Sequence, residues 1–245
     1  MVTLDKDILP IFIMKGDVPS TPVSFHGTGF IIAPRLLITC WHCVSTPLQK
    51  NCRYAAVIKI NKNEYRAIYL SNIEKDANGM DLATANLNHS PAIPLKLSLK
   101  EAPMGTNILT FGYPLTDERQ MKNGLMQFQL NGRYMEGYIM RDFYYAHTKY
   151  GKVASYELNF QVPEGLSGSP LIKMGSKEVI GVIYGSNEVA AIDEFASIDP
   201  ISKERKPEIQ KLIQFGLAHY TTTLQNVVGT ATDNKPLIDY IEQAK

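Results

Sequence analysis

Apolar positions along this chain fall in short runs, each closed by Gly, Pro, Asn or Asp. Phe12 to Lys15, Thr28 to Ile32, Arg35 to Thr39, Tyr54 to Ile60, Glu64 to Leu70 and Asp81 to Leu87 read as strands. So do Asn107 to Phe111, Leu125 to Leu130, Arg133 to Met140, Tyr156 to Val162, Leu171 to Lys173, Val179 to Tyr184 and Phe215 to Tyr220. Asn131-Gly132 is the preferred two-residue type I′ turn and predicts a hairpin between its flanking runs. The tyrosine-rich stretch Tyr134 to Tyr150 is expected to form hairpin core and barrel wall. Helical spacing is scarce and late, at Lys206 to Gln214, Thr221 to Val228 and Pro236 to Ala244. Many short strands at this spacing predict an all-β sandwich or barrel, with short C-terminal helices on its surface.

Composition narrows the function. Of 245 residues 20% are charged and 44% hydrophobic, the balance of a folded chain. Lys and Arg number 25 against 24 Asp and Glu, so no global positive field collects nucleic acid or anionic membrane. No apolar run approaches the roughly 20 residues that span a bilayer. Ile8 to Met14 is broken by Pro10 and follows Asp5 and Asp7, which argues against a signal peptide. Three cysteines, Cys40, Cys43 and Cys52, cannot close a disulfide framework and fit a reducing compartment. The expectation is a soluble, cytoplasmic protein.

Three local patterns follow in a fixed order: Gly27-Thr28-Gly29-Phe30-Ile31-Ile32 leading to Cys40-Trp41-His42-Cys43; Met80-Asp81-Leu82-Ala83; and Gly165-Leu166-Ser167-Gly168-Ser169-Pro170. A serine hydroxyl becomes a nucleophile when an imidazole takes its proton, and a buried carboxylate fixes that imidazole's tautomer. An acyl-transfer oxyanion needs preorganised backbone N–H donors, and a glycine two residues before the serine can turn its amide there. Asp76 rivals Asp81 for the carboxylate role, and Ser169 rivals Ser167. Cys40-x-x-Cys43 with His42, Cys52 and His26 raises a metal reading, but the second paired knuckle of a closed zinc site is missing. Neither metal nor cofactor is expected.

With Phe111-Gly112-Tyr113-Pro114, these motifs make the chain resemble the chymotrypsin-fold (trypsin-like) serine peptidases, in the flavour of the bacterial HtrA-type and glutamyl-endopeptidase branch. The resemblance runs from about Gly27 to Tyr220. It implies two antiparallel six-stranded β-barrels with the active site in the cleft between them. The boundaries expected are about 8–100 and 105–222, with a helical extension over about 223–245. It further implies His42 as general base, Asp81 as its orienter and Ser167 as nucleophile, with the amides of Gly165 and Ser167 as oxyanion hole. A peptide substrate would pair with the backbone of Ile183 and Gly185, with Tyr184 beside the pocket and the floor near Gln161 and Val162.

Departures from the family pattern shape the remaining expectations. Leu166 stands where animal trypsins place an aspartate that receives a freshly cut N-terminus, so activation by trimming is not expected. No aspartate lies near Gln161 to supply a preference for Arg or Lys. Ser186 to Gln214 reads as a long insertion able to gate the pocket or dock a regulatory partner protein. The sequence thus predicts a selective, regulated serine endopeptidase; the alternative is an inactive protease-fold module that binds peptides.

Overall fold

The computed structural model describes residues 6–16, 20–61, 64–88, 95–121, 126–147, 151–176, 178–192, 197–198, 205–206 and 210–243. The first strand, β1 (Ile8–Lys15), is buried along both faces up to Met14. Leu9, Ile11 and Ile13 point into one core with Leu37, Ile68 and Leu87. Ile8 joins a second core with Leu109 and Val182, and Phe12 and Met14 join a third. Burial on both sides makes the run continuously apolar rather than alternating. Pro10 is tolerated because it pairs only with Thr28, and pairing on the other edge begins at Ile11.

β1 continues into β2 (Thr21–Ala33), β3 (Leu36–Thr39), β4 (Cys52–Asn61), β5 (Glu64–Lys75) and β6 (Ala83–Leu87). These close a barrel in the order β1-β2-β3-β6-β5-β4. The rest of the sheet structure comprises β7 (Lys96–Leu97), β8 (Asn107–Gly112), β9 (Asp117–Gln120), β10 (Met126–Gln129), β11 (Arg133–His147), β12 (Gly151–Leu158), β13 (Pro170–Lys173), β14 (Glu178–Ile192), β15 (Ser197–Ile198), β16 (Arg205–Lys206) and β17 (Gln210–Tyr220). β13-β8-β11-β12-β17-β14 closes on itself through a β13–β14 pairing, with β7 added parallel to β14. The chain is therefore two closed six-stranded antiparallel barrels, the chymotrypsin-like fold expected. Two short helices, α1 (Thr221–Gln225) and α2 (Leu237–Gln243), follow, and Leu224 and Leu237 seal them to the core.

Five expectations need correction. β10 pairs with β9, and the neighbours of β11 are β8 and β12, so Asn131-Gly132 does not join a hairpin. Neither residue has the positive φ that a type I′ turn requires. Lys206 to Gln214 is not a helix: Lys206 lies in β16, residues 207–209 lie outside the described residues, and β17 begins at Gln210. The Ser186 to Gln214 segment is in good part paired sheet, because β14 continues to Ile192 opposite Gln210 and Asn187 faces Phe215. Backbone pairing across a long hairpin overrides the helical spacing of a few apolar residues. Tyr134, Tyr138 and Tyr144 are exposed rather than core, while the side chains of Tyr145 and Tyr150 lie outside the described residues. The α1 helix is also shorter than Thr221 to Val228, ending at Gln225.

Candidate active site

The three motifs meet between the barrels. β3 ends at Thr39, and a single 3-10 turn, Trp41–Cys43, carries His42. Asp81 precedes β6 and holds that turn twice: its backbone carbonyl accepts from the Trp41 N–H (3.3 Å) and its Oδ1 from the His42 N–H (3.1 Å). Its Oδ2 lies 2.7 Å from His42 Nδ1. Asp81 is 4% exposed, whereas the His42 side chain is 42% exposed, so one end of the imidazole is anchored and the other open.

Electrostatics follow this geometry. Burial opposes the charged form of His42. The hydrogen bond to Asp81, the neighbouring Cys43 sulfur and the Asp81 charge outweigh that and lift it from 6.5 to about 10. Burial likewise pushes Asp81 up, but the hydrogen bonds and charge of His42, with His219 behind, hold it below the usual carboxylate range. His219 is itself buried and stacks on Tyr184, whose hydroxyl is 2.7 Å from Ser155 Oγ.

The serine turn belongs to the second barrel but is held by the first. The Ser167 carbonyl accepts from the Thr28 N–H (2.9 Å) and from the Cys43 thiol (3.6 Å). The Gly168 N–H donates to the Ile183 carbonyl at 2.8 Å. Gly168 has φ +85°, and a Cβ there would lie 2.0 Å from the Thr28 carbonyl oxygen. Gly165 has φ +92°, and a Cβ would collide with Phe25 and the Tyr113 carbonyl. Only glycine fits either place. Leu166 is fully buried among Ile108, Ile139 and Leu171.

The carbonyl of Glu164 accepts from the Leu115 N–H, so the Gly165 N–H on the same planar peptide points the other way. Among the described residues neither the Gly165 nor the Ser167 N–H donates to a protein acceptor. Ser167 Oγ makes one long contact, donating to the Tyr184 carbonyl at 3.5 Å, and no hydrogen bond to His42 is formed. Catalytic contacts of this kind are commonly loose before substrate binds.

The rival residues have other surroundings. Asp76 turns its carboxylate to the N–H groups of Met80 and Val228, tying the C-terminal segment to the first barrel. Ser169 is fully buried behind the turn. Cys40 is also fully buried, its ligand atom within 4.8 Å of those of His42 and Asp81. The 2.7 Å spacing of Nδ1 and Oδ2 is nevertheless that of a shared proton, since two ligands of one tetrahedral zinc would sit about 3.3 Å apart. All three cysteines are free and buried.

The substrate-side expectations divide. Ile183 cannot pair with a peptide: its N–H donates to the Ser169 carbonyl, its carbonyl accepts from the Gly168 N–H, and its side chain is buried. The register of β14 against β17 shifts between Ile183 and Gly185, which leaves the Tyr184 carbonyl facing Ser167. Gln161, expected near the pocket floor, is exposed. Ser186 Oγ accepts from the Val162 N–H and donates to the Val162 carbonyl, both at 3.2 Å, tying β14 to the segment ahead of the serine turn.

Sequence reasoning missed Thr28. Its Oγ1 donates to the Gly165 carbonyl (2.8 Å) and accepts from the Tyr113 N–H (3.2 Å), clamping the glycine turn from the opposite barrel. A fully buried threonine inside an apolar strand was the available signal, because its hydroxyl needs partners.

Comparison with known proteins agrees with this architecture. A family profile described as a trypsin-like peptidase domain matches residues 27–182. A comparison with curated protein sequences finds no match. Among solved structures, the inactive form of Rv3671c from M. tuberculosis H37Rv is similar at 19% identity and TM-score 0.56, over 89% of this chain and 82% of that one. The MamO protease domain from Magnetospirillum magneticum is similar at 15% identity and TM-score 0.56, over 90% of this chain and 95% of that one. The HtrA-type protease AlgW, solved with a decapeptide, is similar at 14% identity and TM-score 0.58, over 89% of this chain and 62% of that one. At such identities the structural likeness speaks for the fold alone, whereas the profile spans more than half of the sequence: the chain belongs to the trypsin-like peptidase family.

Proposed function

We propose that this protein is a serine endopeptidase in which Ser167 attacks the peptide carbonyl and His42 takes its proton. Ser167 Oγ forms the new bond to carbon, and the carbonyl oxygen takes the charge between the N–H groups of Gly165 and Ser167. His42 then gives its proton to the leaving amine, and water repeats the sequence on the acyl-enzyme. Asp81 keeps Nδ1 protonated so that Nε2 does the work. The observation that carries this reading is the 2.7 Å His42–Asp81 pair beside a glycine-flanked serine. No metal or cofactor is needed for these steps.

The acyl side of a substrate would lie along β14 from Tyr184 to Ser186, with Gln161 at the rim. Leu166, buried and apolar, gives a new α-amino group nothing to pair with, so trimming is not the switch. We place the control in a partner protein or in the substrate strand itself, which would favour the competent Ser167 geometry. Three free thiols suit a reducing, cytoplasmic setting.

A second reading is an inactive peptide-binding module, favoured by the missing Ser167–His42 hydrogen bond and the contact of Ser167 with Tyr184 instead. Labelling by a fluorophosphonate decides between them. Covalent modification lost in S167A supports the peptidase; an unlabelled chain that still binds peptides supports the module.

A further inference from the structure

A cleft of about 710 Å³ opens beside the serine turn, and among the described residues none of β14 lines it. Ile13, Val23 and Phe25 of the first barrel and Leu115 of the second give it an apolar lining, and Ser24, Thr46, Gln49 and Thr116 add neutral polar groups. Phe25 ties it to the reacting centre, because this ring is what a Cβ on Gly165 would strike. Thr46 and Gln49 lie three and six residues beyond the turn that carries His42. Glu164 is exposed at its edge, one residue from Gly165, and is the single acid among the described lining residues. Among the described residues neither lysine nor arginine lines it; His26 does, with Nε2 2.8 Å from Ser24 Oγ and its ring edge-on to Tyr54.

Position assigns the occupant. The leaving amine takes its proton from His42, so the departing half of a substrate runs toward the chain that follows His42. The acyl half runs the other way along β14. A trough with apolar walls, neutral polar groups and one carboxylate at its rim suits a long aliphatic stem ending in a cation. A glutamate in the same place would meet Glu164 with like charge. We propose that this cleft selects lysine or arginine on the leaving-group side of the scissile bond, with Glu164 as the specificity-determining residue. The inference rests on the peptidase reading.

The test uses internally quenched peptides with a constant acyl side, varied at the first two leaving-side positions. Lysine or arginine at one of these should raise kcat/KM about tenfold over glutamate, the size expected when one partly exposed ion pair replaces a repulsion. E164Q should flatten the profile and E164K should invert it, each read as a ratio within one variant. A flat profile in the unaltered chain, or a lysine preference that survives E164Q, overturns the proposal. Binding of the same peptides to S167A, read by fluorescence anisotropy, separates the two claims. Glu164-dependent lysine preference without cleavage by the intact chain upholds the cleft and refutes the peptidase. Cleavage with a flat leaving-side profile does the reverse.

Discussion

Thr28 offers the sharpest test of how the glycine turn is held. Its hydroxyl is fully buried, donates to the Gly165 carbonyl at 2.8 Å and accepts from the Tyr113 N–H at 3.2 Å. Thr28→Val keeps the shape and removes both bonds, taking the donor from the buried Gly165 carbonyl and the acceptor from the buried Tyr113 N–H. Each such group costs about 1–3 kcal/mol, so the pair should cost about 3 kcal/mol of stability. For a chain of this size that is a fall in Tm of about 6–12 °C. The catalytic effect is separate. Without the hydroxyl, the Gly165 peptide is still anchored by the Leu166 N–H on the Pro163 carbonyl, by Leu166 in the core and by Glu164 on Leu115, but its carbonyl is loosened. A fully lost oxyanion donor costs about 10²–10³ in kcat, and a loosened one a part of that, so kcat should fall about 10–100-fold with little change in KM. Thr28→Ser, which keeps the hydroxyl, should recover most of the rate. Urea unfolding and peptide kinetics on the two variants give both numbers. Unchanged stability in Thr28→Val would show that the hydroxyl is not paired as described. Lost stability with unchanged kcat would show that packing of Leu166 alone orients the turn.

Ser167→Ala and His42→Ala should each lower kcat by about 10⁴–10⁶ while the folded circular dichroism spectrum is kept; residual activity near the parent level in Ser167→Ala would end the mechanism. With His42 held near 10, the base is protonated at neutral pH, so kcat/KM should climb toward alkaline pH, and Asp81→Asn should move that limb to lower pH while cutting the rate. The same raised value means that the His42 contribution to stability is fully present below pH 6.5 and is lost as pH rises through about 10. Asp81, with its value lowered, stabilises above its ordinary range near 3.8 and loses that contribution on acidification. Gly168→Ala should lower the yield of folded protein sharply in a thermal-melt screen, because its Cβ has no room beside the Thr28 carbonyl.

Local chemistry carried much of this protein. Short β-rich runs closed by Gly, Pro, Asn or Asp marked most of the strands, because strand residues pack on a pleated surface and turn residues end them. The residues around His42, Asp81 and Ser167 were legible because they stand in the order and local pattern of the trypsin-like peptidase family, and glycine at 165 and 168 because positive φ and close backbone approach admit nothing larger. What pairing decides stayed hidden. Asn131-Gly132 looks like a hairpin turn from its own preferences, yet β9 and β8 capture the flanking strands. Gln210 to Gln214 carries helical spacing, and the long partner strand β14 makes it sheet. Ile183 was expected to serve the substrate, but whether a backbone group is free depends on what the fold brings against it. Thr28, 137 residues from Gly165, clamps that turn only because two barrels close face to face, a juxtaposition that no local pattern encodes.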